Sequence, residues 1–235
     1  MKEKKDVEQL LTYTCLGFSI LEETKDTLVI KDIAEIHESE FENVFRKIFF
    51  LTNQIAKNTL ECAKTGEISF LIELLSQRKT LHKYTDFCRR IINKHIEIIP
   101  SYPTYVFYLI MSIECITQHY RNLCFVLVNK EYNYFTYPDD IDITNSKQKI
   151  KLNQKHLVLM EKINFQVYSL ATLFYNHSLE EIDNSHHQCL SLIKEMEDEI
   201  RKNNNKEYSL ILSYWFQIIF NMKELRGTFL GLCLS

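Results

Sequence analysis

Possible metal ligands are concentrated in one short stretch of the 235-residue chain, at Glu180, Glu181, His186, His187 and Cys189. His186 and Cys189 are three residues apart and would share one face of a helix. Imidazole and thiolate groups are ligands that zinc accepts. Adjacent histidines point to different faces, however, and no second ligand pair occurs at a matching spacing. A structural role is therefore the simpler interpretation of these residues. If a metal ion does bind here, His186 and Cys189 are the candidate ligands.

Glu114 and Gln118 form a second candidate pair, one helical turn apart. Their carboxylate and amide could share a metal ion or hydrogen-bond a partner helix, although a lone carboxylate binds a divalent cation weakly. Asp86 precedes Arg89 and Arg90 by three and four residues, which predicts an ordinary ion pair within one helix. The isolated histidines are predicted to lie at the surface or its boundary: His82, His95, His119 and His156.

Motifs for catalysis do not accompany these residues. The sequence contains no glycine-rich phosphate loop, no HExxH pair, and no Ser or Cys beside a histidine base in a recognisable motif. We therefore expect a protein that is not an enzyme and needs no cofactor. Iron or zinc bound at Glu114, Gln118, His186 and Cys189 is the less favoured alternative.

The composition favours a helical protein that remains in the cytoplasm. Hydrophobic residues make up 46% and charged residues 25%, and the 4 Gly and 3 Pro are too few for a fold rich in tight turns. The net charge of −3, with mixed signs throughout, provides no basic stripe for direct nucleic-acid binding. The start of the chain predicts no secretory signal, and the most apolar stretch, 105–116, is too short for membrane insertion.

Hydrophobic periodicity divides the chain into helices. Residues 18–33 predict a short β-hairpin within an N-terminal segment, 1–38. The apolar residues then recur at helical spacing, and the predicted helices span about 39–64, 67–96, 104–130, 150–176, 178–202 and 207–232. The sequence thus predicts an all-α fold of two tandem three-helix bundles, at 39–130 and 148–235, joined by a linker at 131–147.

Several segments of the first half resemble the archaeal branch of the PhoU family. They are GFSILEETKDTLVIKDI, FENVFRKIFFLTNQIAKNTLECAKTGE, YTDFCRRIINK and YLIMSIECITQHYRNLC. The resemblance covers about 15–130 by motif and the remainder by helix count. It implies a regulator of phosphate uptake or signalling whose partners are a phosphate-transport ATPase or a sensor kinase. Members of this branch often carry an AbrB-type DNA-binding domain before the hairpin, and we expect none here.

The resemblance also implies acidic E/DxxxD motifs that collect iron or zinc, and the residues depart from that pattern. Glu114 matches the first acid of the motif in the third helix, but Gln118 stands at the second position. Cations replace the expected acids in the stretch 77–82. In the last helix, Asn221 and Leu225 occupy the corresponding turn. A polynuclear metal site is therefore not expected, because a cation in place of a carboxylate repels a metal ion.

Three functional hypotheses follow from these observations. The favoured one is a PhoU-like adaptor that acts through helical surfaces. The second is a metal-binding bundle protein of the ferritin type, which would require two inward ExxH-like sets. The third is a structural oligomerisation module that forms a homodimer.

Overall fold

The computed structural model describes residues 7, 11, 17–24, 27–32, 38–94, 102–128, 150–202 and 205–234. An antiparallel hairpin consists of β1 (Phe18–Glu23) and β2 (Leu28–Asp32). The helices that follow it are α1 (Glu38–Thr65), α2 (Ile68–Lys94), α3 (Pro103–Val128), α4 (Gln154–Tyr168), α5 (Leu170–Asn176), α6 (Leu179–Lys202) and α7 (Lys206–Leu234). This order confirms the predicted all-α fold with its preceding hairpin. The predicted linker, 131–147, lies outside the described residues.

The ends of the helices have identifiable local causes. Gly66 follows α1 with φ 74°, and its N–H donates to the Cys62 carbonyl at 2.9 Å, so the left-handed residue closes the helix. His177 ends α5 in the same left-handed region, at φ 51°. Pro103 begins α3, where its missing N–H has no helical partner to lose. Asn153 caps α4 by accepting a hydrogen bond from the backbone N–H of His156.

One predicted helix, 150–176, is interrupted. Ser169 separates α4 from α5, and its hydroxyl donates to the Gln166 carbonyl at 2.7 Å. A serine that bonds back to the preceding turn competes with the helical hydrogen-bond ladder and often bends it. The two segments therefore act as one helix that is broken at Ser169.

The hairpin contacts the first bundle through an aromatic ring. The guanidinium of Arg90, on α2, lies 4.4 Å from the ring centroid of Phe18. Within the hairpin, Ile20 pairs with Ile30, and the register shifts between Ile20 and Glu22. This irregularity disturbs the side-chain alternation, and Ile30 is exposed.

Two groups of three helices, α1–α3 and α4–α7 with α4 and α5 counted as one broken helix, share one hydrophobic core. Helices α1, α2 and α3 pack together, and α7 packs against α6 and also extensively against α3. The buried apolar residues accordingly form a single cluster that runs through both groups. No helix in the described part of the chain combines the length and the apolar character that crossing a membrane requires.

Asn164 ties the two groups together inside this core. The hydroxyl of Tyr120 on α3 donates to Asn164 Oδ1 at 2.6 Å, and Asn164 Nδ2 donates to the Ala56 carbonyl of α1 at 2.9 Å. All of these atoms are buried. Removing one partner would leave a buried polar atom without a hydrogen bond, which costs stability. One side chain of α4 thereby fixes the position of that helix against α1 and α3.

Candidate functional site

Glu114 lies at the centre of a polar network between α2 and α3. Its Oε1 is 2.8 Å from His82 Nδ1 and accepts a hydrogen bond from Thr85 Oγ1 at 2.6 Å. Its Oε2 is 2.8 Å from Arg89 Nη1. Asp86 pairs with the same arginine and lies 3.5 Å from His82 Nε2. Both oxygens of the Glu114 carboxylate are therefore engaged by cationic or hydroxyl groups of α2.

The charges in this network shift the acidity of its members. Burial alone would raise the pKa of Glu114, but hydrogen bonds from His82 and Thr85 and the charge of Arg89 outweigh it and lower the pKa. The hydrogen bond to Glu114 raises the pKa of His82, and the charges of Asp86 and Glu114 add to this effect against the opposing effect of burial. The network thus favours an ionised Glu114 beside a protonated His82.

Gln118 lies one turn further along α3 and has partners of its own. Its Oε1 accepts a hydrogen bond from Arg78 Nη2, and its Nε2 donates to Asn122 Oδ1 at 2.9 Å. Arg78 Nη1 also donates to Thr117 Oγ1 at 2.9 Å. A metal ion at Glu114 and Gln118 would have to displace the nearby guanidiniums of Arg78 and Arg89, whose positive charges oppose its approach.

Cys189 and His186 share α6 but face different neighbours. Cys189 is fully buried, and its thiol donates to Gln166 Oε1 on α4 at 3.8 Å. Burial raises the pKa of the Cys189 thiol to about 12, so the thiolate that a metal requires is disfavoured. Burial lowers the pKa of His186, as do the charges of Arg226 on α7 and of His187.

The four predicted ligands therefore lie at two separate places. Glu114 and Gln118 belong to the seam between α2 and α3, whereas His186 and Cys189 lie on α6. Within the described ranges, no group of three or more His, Cys, Asp or Glu side chains is arranged to hold a metal ion. The metal site remains a prediction that rests on the sequence.

Partners of Glu114 on α2 were not identified from the sequence. His82 lies at the surface, as predicted, but it also contacts Glu114. The predicted pair of Asp86 and Arg89 extends across to α3. A pattern in the sequence could have shown this. Arg78, His82, Asp86 and Arg89 recur at intervals of four, four and three residues, which places them on one face of α2.

The fold and this network define a helical bundle protein with an ionic seam between two of its helices. No protein-family model matches the chain, and no characterised protein is similar to it at a significant level.

Proposed function

We propose that the protein is a PhoU-like, non-enzymatic adaptor of phosphate uptake or signalling, which acts in the cytoplasm through contacts with other proteins. The helix order supports this proposal, because two sets of three helices lie side by side after a hairpin. Two of the segments that carry the family resemblance, 84–94 on α2 and 108–124 on α3, meet through the ion pair of Arg89 with Glu114.

The engagement of Glu114 by the α2 cations is the observation that carries the proposal. In a metal-dependent bundle, carboxylates at this seam would be available to a metal ion. Here, Arg89 and His82 supply the positive charge, and the hydrogen bonds that hold α2 to α3 come from the chain itself. The charges of the seam are thus balanced within the chain, and helical scaffolds usually act through their surfaces.

Affinity purification tests the role. The tagged full chain is recovered from cells of its host grown in phosphate-rich and in phosphate-poor medium, and the proteins bound to it are identified by mass spectrometry. Recovery of a phosphate-transport ATPase or a sensor kinase in one condition supports the proposal. Recovery of neither in both conditions contradicts it.

Metal analysis of the same purified protein separates the adaptor from the metal-binding alternative. We expect substoichiometric iron and zinc in the wild type and in Glu114→Ala. A stoichiometric content of either metal that is lost in Glu114→Ala would favour a metal-binding bundle instead.

A further inference from the structure

An open groove runs between α4, α5 and α6 on the surface of the second group of helices. Two cavities of about 350 and 470 Å³ lie along it and share the lining residues Phe165, Gln166 and Gln188. The groove exists because α4 and α6 contact each other sparsely, while α6 rests mainly on α7 and α4 on α1 and α7. We call this surface the α4–α6 groove.

The two walls of the α4–α6 groove differ in character. Phe165 is the most prominent group of the wall formed by α4 and α5, and 62% of it is exposed to solvent. Tyr168 and Thr172 continue this wall. The α6 wall is largely polar, and besides Leu192 its lining residues are Glu181, Asn184, Ser185, Gln188, Ser191 and Glu195.

The floor of the groove needs no further hydrogen bonds. Gln166 is buried and donates to Gln188 Oε1 at 2.5 Å, while its own Oε1 accepts a hydrogen bond from Ser185 at 3.0 Å. Leu173 and Leu192 lie buried beneath the groove, at 4% and 6% exposure. An occupant can therefore gain mainly from apolar contact with Phe165 and with Tyr168, which is 37% exposed.

The charge of the groove is negative. Glu161, Glu181 and Glu195 line it together with a single cation, Lys162. Lys162 is paired with Glu195 at 2.9 Å, and Glu161 is paired with Lys64 at 2.9 Å. Among the described residues, the carboxylate of Glu181 has no cationic partner and receives only a 3.5 Å hydrogen bond from the Asn176 amide. A basic side chain of an occupant would complete this end of the groove.

The shape of the groove selects an elongated occupant. The lining residues of its first wall extend from Glu161 to Leu173, about 18 Å along the helix axis at 1.5 Å per residue. This length matches about three turns of a docked helix, whose side chains would recur at three- and four-residue spacing. A small molecule would be enclosed on two sides only, whereas ligand pockets bury most of their ligand.

We propose that the α4–α6 groove binds an amphipathic helix of a partner protein, with apolar side chains against Phe165 and a basic residue at Glu181. This proposal names the docking surface for the adaptor function and rests on that function for the identity of the partner. The interaction itself requires only the groove and a helix of this chemistry.

Binding of designed peptides to the purified full chain tests the proposal. The probe is an 18-residue fluorescent peptide with Leu at helical i, i+3, i+4 and i+7 spacing and Lys elsewhere, and its counterpart has Glu in place of Lys. Glu181 is exposed, and an exposed ion pair contributes at most about 1 kcal/mol, so we expect fluorescence anisotropy to show up to about fivefold tighter binding of the Lys peptide.

Two phenylalanines give a matched pair of variants. Phe165→Ser should weaken binding of the Lys peptide about tenfold, because it removes an aromatic anchor. Phe50 on α1 is 61% exposed, nearly as much as Phe165, but does not line the groove, so Phe50→Ser should leave the affinity unchanged. Glu181→Gln should reduce the preference for the Lys peptide over the Glu peptide.

Several outcomes would overturn the proposal. Equal affinities of the Lys and Glu peptides would show that the charge of the groove does not select the occupant. Equal losses of affinity in Phe165→Ser and Phe50→Ser would show that the peptide binds unspecifically. A dimer in light scattering that Phe165→Ser dissociates would show that a second copy of the chain occupies the groove. The peptide experiment uses purified protein and a synthetic probe, so its result does not depend on the natural partner. Failure of the peptide to bind would reject the groove proposal, whereas failure of the affinity purification would reject the phosphate role alone.

Discussion

Replacing Glu114 by Gln removes the negative charge that joins α2 to α3 while keeping the size of the side chain. Only 14% of the Glu114 side chain and 20% of the Arg89 side chain are exposed, so water screens this pair weakly. Hydrogen bonds to charged groups contribute about 1.5–3 kcal/mol each, although relaxation recovers part of the loss. We therefore expect Glu114→Gln to lower the free energy of unfolding by about 2 kcal/mol, or Tm by about 4–8 °C for a chain of this size.

Urea denaturation followed by circular dichroism measures this change, and a second ion pair between helices is its control. Glu195 pairs with Lys162 at 2.9 Å, but both side chains are considerably more exposed than those of Glu114 and Arg89. Glu195→Gln should therefore cost less than about 1 kcal/mol. An effect of Glu114→Gln below about 0.5 kcal/mol, or no larger than that of Glu195→Gln, would refute the central role of Glu114.

The same comparison should depend on pH in a defined direction. The pKa of Glu114 is lowered from its ordinary value of 4.5, so its contribution is present above that value and is lost as the pH falls through the lowered pKa. The pKa of His82 is raised from 6.5, so its contribution is complete below 6.5 and is lost as the pH rises through the raised pKa. The difference between wild type and Glu114→Gln should be largest at about pH 5–6. At alkaline pH, part of this difference in stability should persist, because Arg89 stays charged.

Two further predictions concern packing and thiol chemistry. A Cβ atom built at Gly231 would lie 2.3 Å from the ring of Tyr105, whereas one at Gly227 meets nothing within 4 Å. In thermal unfolding, Gly231→Ala should therefore destabilise the protein by about 1–3 kcal/mol. Gly227→Ala should stabilise it by about 0.5–1 kcal/mol, because alanine favours a helix more than glycine does. Equal effects would contradict this packing. In native protein a thiol-specific reagent should modify the exposed Cys115 rapidly and the buried Cys189 only after unfolding, as peptide mapping would show.

The order of the helices was predictable because their limits are encoded locally. The apolar period changes at the start of each helix, and Gly66 and His177 take the left-handed conformations that close α1 and α5. The interruption at Ser169 was not predictable in this way. Serine is tolerated within helices, and whether its hydroxyl bonds back to the preceding turn depends on the packing around it.

The seam between α2 and α3 was predictable only in part. Helical spacing places Glu114 and Gln118 on one face, but their partners depend on the rotation and axial position of α2 relative to α3. A periodic pattern defines which residues share a face and leaves open which turn of the other helix they meet. The relation of Glu114 to His82 and Arg89 therefore required the packed structure.

The seam also explains how the carboxylate of Glu114 is accommodated although Gln118, and not a second acid, stands one turn further along α3. A carboxylate in this position must be neutralised, because an unpaired charge with so little exposure would cost several kcal/mol. A metal ion is one solution, and a guanidinium with an imidazole is another. His82 and Arg89, two turns apart on α2, meet the two oxygens of Glu114, so the charge of Glu114 is balanced by the packing of α2 against α3. We therefore expect the stability contributed by this seam to depend on pH through His82 and Glu114.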